Sequence, residues 1–108
     1  MKKIYFVIMK NIFHTKNEIH KRYDLKGSTV GRTSLSKSKK ESDEELDAQV
    51  ARKDLDFQRE GNKLKVPFEQ YTKFIEIIKS DAAFLEKQNI IDYSLLLGVH
   101  YVQNKGER

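Results

Sequence analysis

A chain of 108 residues has room for one small domain and buries only about two-thirds of its unfolded surface, so a substantial active-site cleft is hard to build from it alone. It contains no cysteine, which excludes a disulfide framework and thiolate metal sites and makes a reducing cytosolic compartment the simplest setting; no apolar run is long enough to cross a bilayer, and residues 4–9 are too short for a signal-peptide core. The net charge of +5 is uneven: through Lys40 there are eleven Lys and Arg against Glu18 and Asp24 alone, a net of +9 that leaves −4 for the rest, so the first half suits nucleic acid, a phosphorylated ligand or acidic lipid headgroups, or is simply a solvated face.

In chain order, the Ile-Tyr-Phe-Val-Ile-Met run at 4–9 predicts a short buried strand, because it is rich in β-formers and Asn11 ends it early. Residues 18–25 predict a second strand, with Ile19, Lys21, Tyr23 and Leu25 on one parity and His20, Arg22 and Asp24 on the other. The turn-like His14-Thr15-Lys16-Asn17 between them suggests an antiparallel hairpin. Residues 34–45 carry Ser, Lys, Asp and Glu with a single Leu and predict a mobile, charged, disordered loop. Residues 46–57, with Leu46, Val50, Leu55 and Phe57, predict a short helix or docking segment. Pro67 suits the first turn of a helix, and Phe68, Tyr71, Phe74, Ile75, Ile78, Ala82 and Leu85 follow the spacing of one core-packing face. The helix is expected to end near Asn89, a residue that tolerates the left-handed conformation. Residues 94–102 then read as a strand and 104–108 as a fraying tail.

Two constellations could carry chemistry. In Asp24-Leu25-Lys26-Gly27-Ser28, strand alternation directs Asp24 and Lys26 to one face, and Gly27 lets backbone approach a ligand. Lys26 could meet a phosphate, with Ser28 and Thr29 adding hydroxyls and Arg32 a bidentate guanidinium. The same residues also fit a strand that ends in a Gly-Ser turn with a surface ion pair. Asp92 lies where helix gives way to strand, and it could accept or orient a hydroxyl proton or merely fasten a turn. His14, His20 and His100 have no metal-site spacing, and Tyr5, Phe6, Phe13 and the helix aromatics read as core.

Taken together, Asp24-Leu25-Lys26-Gly27-Ser28 and Ile91-Asp92-Tyr93-Ser94-Leu95-Leu96 resemble the paired signature of the phosphatidylinositol phosphate kinases. Arg22-Tyr23 leads into the first string, Ser28-Thr29-Val30-Gly31-Arg32 leaves it, and Asp54-Leu55-Asp56-Phe57 resembles the stretch after the family's variable insert. The likeness spans nearly all of residues 4–102. It implies an α+β piece of a two-lobed kinase-like fold, antiparallel strands plus one long helix: a nucleotide-lobe hairpin and hinge at 1–33, the charged loop at 34–45, and the second-lobe helix, catalytic loop and following strand at 46–108.

The resemblance further implies transfer of the γ-phosphoryl group of ATP to an inositol-ring hydroxyl of a phosphoinositide, most simply as a phosphatidylinositol-4-phosphate 5-kinase, at the cytosolic face of an anionic membrane and without nucleic acid. By position, Asp92 would be the catalytic aspartate and Asn11, Ile12 and Phe13 the hinge around the base, with Leu96 on its other side. Lys26 would lie near the ATP phosphates, Arg32 would face the lipid headgroup, and Asp24, Gly27, Ser28, Tyr93 and Ser94 would support the two motifs. Two positions depart from the family pattern: Ile91 stands for the usual methionine, and Tyr101 for an aspartate often found after the His100 position. The family's glycine-rich loop, strand lysine, Mg²⁺-binding aspartate and activation loop match nothing here, so an incomplete piece, inactive by itself and holding no metal ligand, is expected. A non-catalytic basic module for anionic lipid or nucleic acid is the alternative.

Overall fold

Strand β1 (Lys21–Leu25) forms where the parity pattern expects it, in a computed structural model that describes residues 2–34, 49–61 and 63–103. It is followed by β2 (Ala51–Arg52), α1 (Asp54–Arg59), α2 (Phe68–Lys87) and β3 (Leu95–Val99). β1 is central in a three-stranded sheet of order β2-β1-β3. Its pairing with β3 is antiparallel, setting Arg22 against Gly98, Tyr23 against Leu97 and Asp24 against Leu96, and its pairing with β2 is parallel. The sheet therefore joins strands from both sides of the division expected near residue 33.

Alternation gives the sheet two unlike faces. Lys21, Tyr23 and Leu25 share one with Leu95, Leu97 and Val99, and Tyr23 is the one apolar residue fully buried among those described, at 1% exposure. Phe57 of α1 meets its ring edge-on at 5.3 Å, and its hydroxyl donates to Glu60. Glu60 also accepts from Lys21 Nζ at 3.2 Å and Arg52 Nε at 3.0 Å, so this small core closes over a polar cluster centred on Glu60. Burial, then the Glu60 carboxylate, pushes the Tyr23 hydroxyl pKa upward, keeping it a donor. Tyr23→Phe is expected to cost about 1.5–3 kcal/mol, the range for a hydrogen bond to a charged group, read as a lower denaturant midpoint.

The opposite face carries Arg22, Asp24, Leu96 and Gly98. Phe13 rests on it: its ring lies 5.2 Å from the Arg22 guanidinium, and a Cβ on Gly98 would come within 3.0 Å of it. The absent side chain at Gly98 is what lets the turn at residues 11–13 settle on the sheet.

Several expectations are corrected. Residues 4–9 form no strand and are exposed, Ile8 at 88%, because an apolar run becomes a strand only where another strand supplies hydrogen bonds and cover; β1 takes β2 and β3 as partners instead, so the expected hairpin is replaced. Tyr5 and Phe6 are accordingly not core. At 46–57 the expected short helix forms as α1, but only from Asp54 and after the short strand β2, with Leu46 outside the described residues.

The long helix forms as predicted, with Pro67 as N-cap, one position before the first helical residue. It ends in a Schellman motif: Asn89 is left-handed at φ 56°, its N–H donates to the Glu86 carbonyl, and Ile90 N–H donates to Leu85. It is not core-packed, since none of its residues is buried. Ile75, Ile78, Ala82 and Leu85 are half-covered along one stripe, while Phe68, Ile77 and Phe84 are largely exposed. Of the charged loop expected at 34–45, Ser34 is fixed by Asp56 and residues 35–45 lie outside the described residues, as does the tail at 104–108.

Candidate functional site

β1 ends at Leu25, and the next residue on the face of Arg22 and Asp24 is Lys26. From the other direction, the Schellman turn that closes α2 delivers the chain through Asp92 into β3. The pairing of β1 with β3 brings these two ends together. Lys26 Nζ lies 2.7 Å from Asp92 Oδ1 and donates at 2.7 Å to the Asp92 carbonyl, a contact between residues 66 positions apart. Both line an open cleft of about 590 Å³ with Glu86, Asn89, Ile90, Ile91 and Tyr93.

Asp92 has φ 63°, a left-handed conformation uncommon for a non-glycine residue and enriched at functional positions. Its side chain is 79% exposed, and the hydrogen bond and charge of Lys26 hold its carboxyl below the ordinary range. It is thus an accessible carboxylate, ionised at neutral pH, with a cation at one oxygen. Lys26 spends two of its three N–H donors on Asp92, leaving one for another anion.

The loop that carries Lys26 has an anchor that residue patterns did not reveal. Asp54, in the first turn of α1, accepts from the N–H groups of Lys26, at 3.2 Å to both of its oxygens, and Gly27, at 2.9 Å, and from Arg32 Nε at 3.1 Å. Arg32 Nη2 donates to the Asp24 carbonyl at 2.7 Å and lies 3.6 Å from Asp24 Oδ1, and Leu55 N–H donates to the Arg32 carbonyl at 2.8 Å. Asp56 fastens the residues just after Arg32: it accepts from Thr33 Oγ1, Ser34 N–H and Ser34 Oγ, and also from Lys53 N–H. Gly27 serves this loop through its φ of 76°, which L side chains adopt only at a cost. The one signal in the sequence was the resemblance of Asp54-Leu55-Asp56-Phe57 to the stretch after the family's variable insert, which gave these acids no role.

Burial tends to raise the pKa of Asp54, but bonds from Lys26 N–H, Arg32 and Gly27 N–H outweigh it and the net shift is downward. Asp56 obeys the same logic, burial opposed by Lys53 N–H, Thr33 and Ser34. For a carboxyl depressed in the folded state, the stabilisation is complete above the unfolded value, 3.8 here, and is lost as pH falls through the folded one. Acidification below that value is therefore expected to free residues 26–34 and lower stability, read as faster amide exchange at Lys26, Gly27 and Ser34; exchange insensitive to pH, after correction for its intrinsic rate, would contradict this.

Of the other residues expected at the site, only Tyr93 joins Lys26 and Asp92 in lining the cleft. Asn11 Oδ1 accepts from Phe13 N–H at 3.0 Å, Ile12 is exposed, and Phe13 sits on Gly98, two residues along the same face from Leu96. The turn at 11–13 and Leu96 thus border one surface. Ser28 is exposed, with Oγ accepting from Val30 N–H at 3.4 Å; Tyr93 and Ser94 are exposed beside Asp92. His20 and His100 come within 5.1 Å, ring to ring, yet their nitrogens engage backbone: His20 Nδ1 accepts from Tyr101 N–H at 3.0 Å, and His100 Nδ1 lies 2.6 Å from the Glu18 carbonyl. Among the described residues no three His, Asp or Glu are grouped to hold a metal ion, and none of the described helices is long and apolar enough to cross a membrane.

A family profile described as Phosphatidylinositol-4-phosphate 5-Kinase matches residues 1–108. A probable phosphatidylinositol phosphate kinase of Dictyostelium discoideum is 44% identical over 106 residues, 98% of this chain and 14% of its own. The phosphatidylinositol 4-phosphate 5-kinase of Plasmodium falciparum (isolate 3D7) is 43% identical over 100 residues, 93% of this chain and 6% of its own. Human phosphatidylinositol 5-phosphate 4-kinase type-2 beta is 44% identical over 98 residues, 91% of this chain and 22% of its own. The chain thus spans less than a quarter of each of these relatives.

Proposed function

This chain belongs to the phosphatidylinositol-4-phosphate 5-kinase family, and on that premise we propose that it supplies the part of a phosphoinositide kinase site where the transferred phosphate of ATP meets the acceptor hydroxyl. The observation that carries this reading is the contact of Lys26 with Asp92, which unites the two motifs across 66 residues. Asp92 receives the inositol hydroxyl: its oxygen attacks the γ-phosphorus, the bond from that phosphorus to the β–γ bridging oxygen breaks with its electron pair leaving on ADP, and the hydroxyl proton passes to the carboxylate. A carboxylate with a depressed pKa is a weak base, so its chief work is orientation, with the proton arriving as the new bond forms.

Lys26, with one N–H to spare, neutralises charge on the phosphates. The turn at 11–13 and Leu96 border the surface for the base. Arg32 is committed to Asp54 and Asp24, so a direct headgroup contact would require it to leave both; we assign it to holding the loop. The acceptor class is a phosphatidylinositol monophosphate, with the 4-phosphate as first choice from the family's description, and the relatives' names include 5-phosphate 4-kinases as well. The net charge of +9 through Lys40 supports approach to the cytosolic face of an anionic membrane, at about 1 kcal/mol per well-placed Lys or Arg. Mg²⁺ is expected with ATP, but the described residues do not group ligands for it.

The test is an exchange of parts. This chain would replace the 98 matching residues of the human relative, and the chimera would be given ATP, Mg²⁺ and vesicles containing phosphatidylinositol monophosphates. Lipid phosphorylation is the expected result. A folded chimera that binds ATP and transfers nothing would sink the proposal.

A further inference from the structure

The bonds at Asp54 close a ring: Asp24, one residue before the end of β1, Arg32 across from it, Asp54 in α1, then back to the N–H groups of Lys26 and Gly27. A buried carboxylate with three charged or oriented donors is a strong constraint, because bonds to charged groups are shorter and stronger than neutral ones. The nine residues from Asp24 to Arg32 contain Gly27 and Gly31, both at positive φ, and residues 27–31 are exposed. Nothing else among the described contacts fixes the backbone N–H groups of Lys26 and Gly27. The Lys26 side chain meanwhile has to reach Asp92 across the mouth of the cleft, with its stem starting at the very residue Asp54 holds.

We infer that Asp54 is a positioning residue of this site: by gripping the backbone at Lys26 and Gly27 and the guanidinium of Arg32, it sets where the Lys26 ammonium lies relative to Asp92. This rests on the proposed role of Lys26 for its functional meaning, and its test does not. The Asp54 carboxylate itself stays clear of the reactants and acts through Lys26. Asparagine in its place keeps the shape but loses the charge and half the acceptor capacity, so the backbone at Lys26 and Gly27 loosens and the ammonium loses its fixed origin.

The experiment is lysine-selective reductive methylation of the 108-residue chain, read peptide by peptide by mass spectrometry, for the wild type, Asp54→Asn and Asp92→Asn. Lys26 labelling is expected to rise several-fold in Asp54→Asn, approaching its level in Asp92→Asn, while Lys21, held by Glu60, stays unchanged. Labelling of Lys26 that rises in Asp92→Asn and not in Asp54→Asn would overturn the inference, as would no rise in either. If Lys21 labelling rises too, the variant has lost its fold and amide exchange in the wild type decides: slow exchange at Lys26 and Gly27 supports the anchor, and exchange at the free-loop rate overturns it. A separate arm adds ATP to the wild type. Protection of Lys26 bears on the kinase reading alone, so the two ideas fail separately.

Discussion

Asp92→Asn in the chimera is expected to lower lipid phosphorylation by about 10²–10⁴-fold, the range for a positioned general base, with far smaller changes in the KM for ATP and lipid. Asparagine suits this test for a structural reason. Position 92 has φ 63°, a conformation in which Asn is among the most favourable residues, so the turn between α2 and β3 is kept. What is lost is the charge that faces Lys26 and the acceptor for the hydroxyl proton. Alanine would remove the same groups but strain the backbone, mixing two effects. Turnover within a few-fold of the parent chimera would reduce Asp92 to a turn-fastening role.

The second large effect concerns the 108 residues by themselves. Helix α2 carries Phe68, Ile77 and Phe84 largely exposed, and residues 4–9 add a second exposed apolar run. Monomeric soluble proteins rarely leave this many large apolar side chains uncovered, and an unpaired apolar run offers free backbone groups to another chain. The isolated chain is therefore expected to self-associate as its concentration rises. Ile77→Lys with Phe84→Lys, two turns apart on one helix face, should shift it markedly toward monomer in sedimentation velocity, with helix content unchanged. A parent chain that sediments as a monomer throughout would contradict this reading of the surface.

How far the sequence could be read depends on which interactions are local. Helix α2 was legible because a 3.6-residue repeat, a leading proline and a terminal Asn all speak within one segment. β1 was legible through the parity of Tyr23 against Asp24. Residues 4–9 misled because strand propensity says nothing about whether a partner is present, and the apolar stripe of α2 implied a cover that the described residues do not provide. The Asp54 anchor was illegible for another reason: its bonds span 22 to 28 positions and leave no periodic trace. The Lys26–Asp92 contact was reachable only through resemblance of the two motifs to a known pair, because nothing in a separation of 66 positions implies that a strand end and a helix end will meet.

The most direct test of a single site shared by Lys26 and Asp92 is a double-mutant cycle in the chimera, comparing kcat for Lys26→Met, Asp92→Asn and the two combined. Residues that act as one unit are strongly non-additive. The combined variant is therefore predicted to lose little more than the worse single variant. Losses that multiply would mean that Lys26 and Asp92 work independently and form no single site.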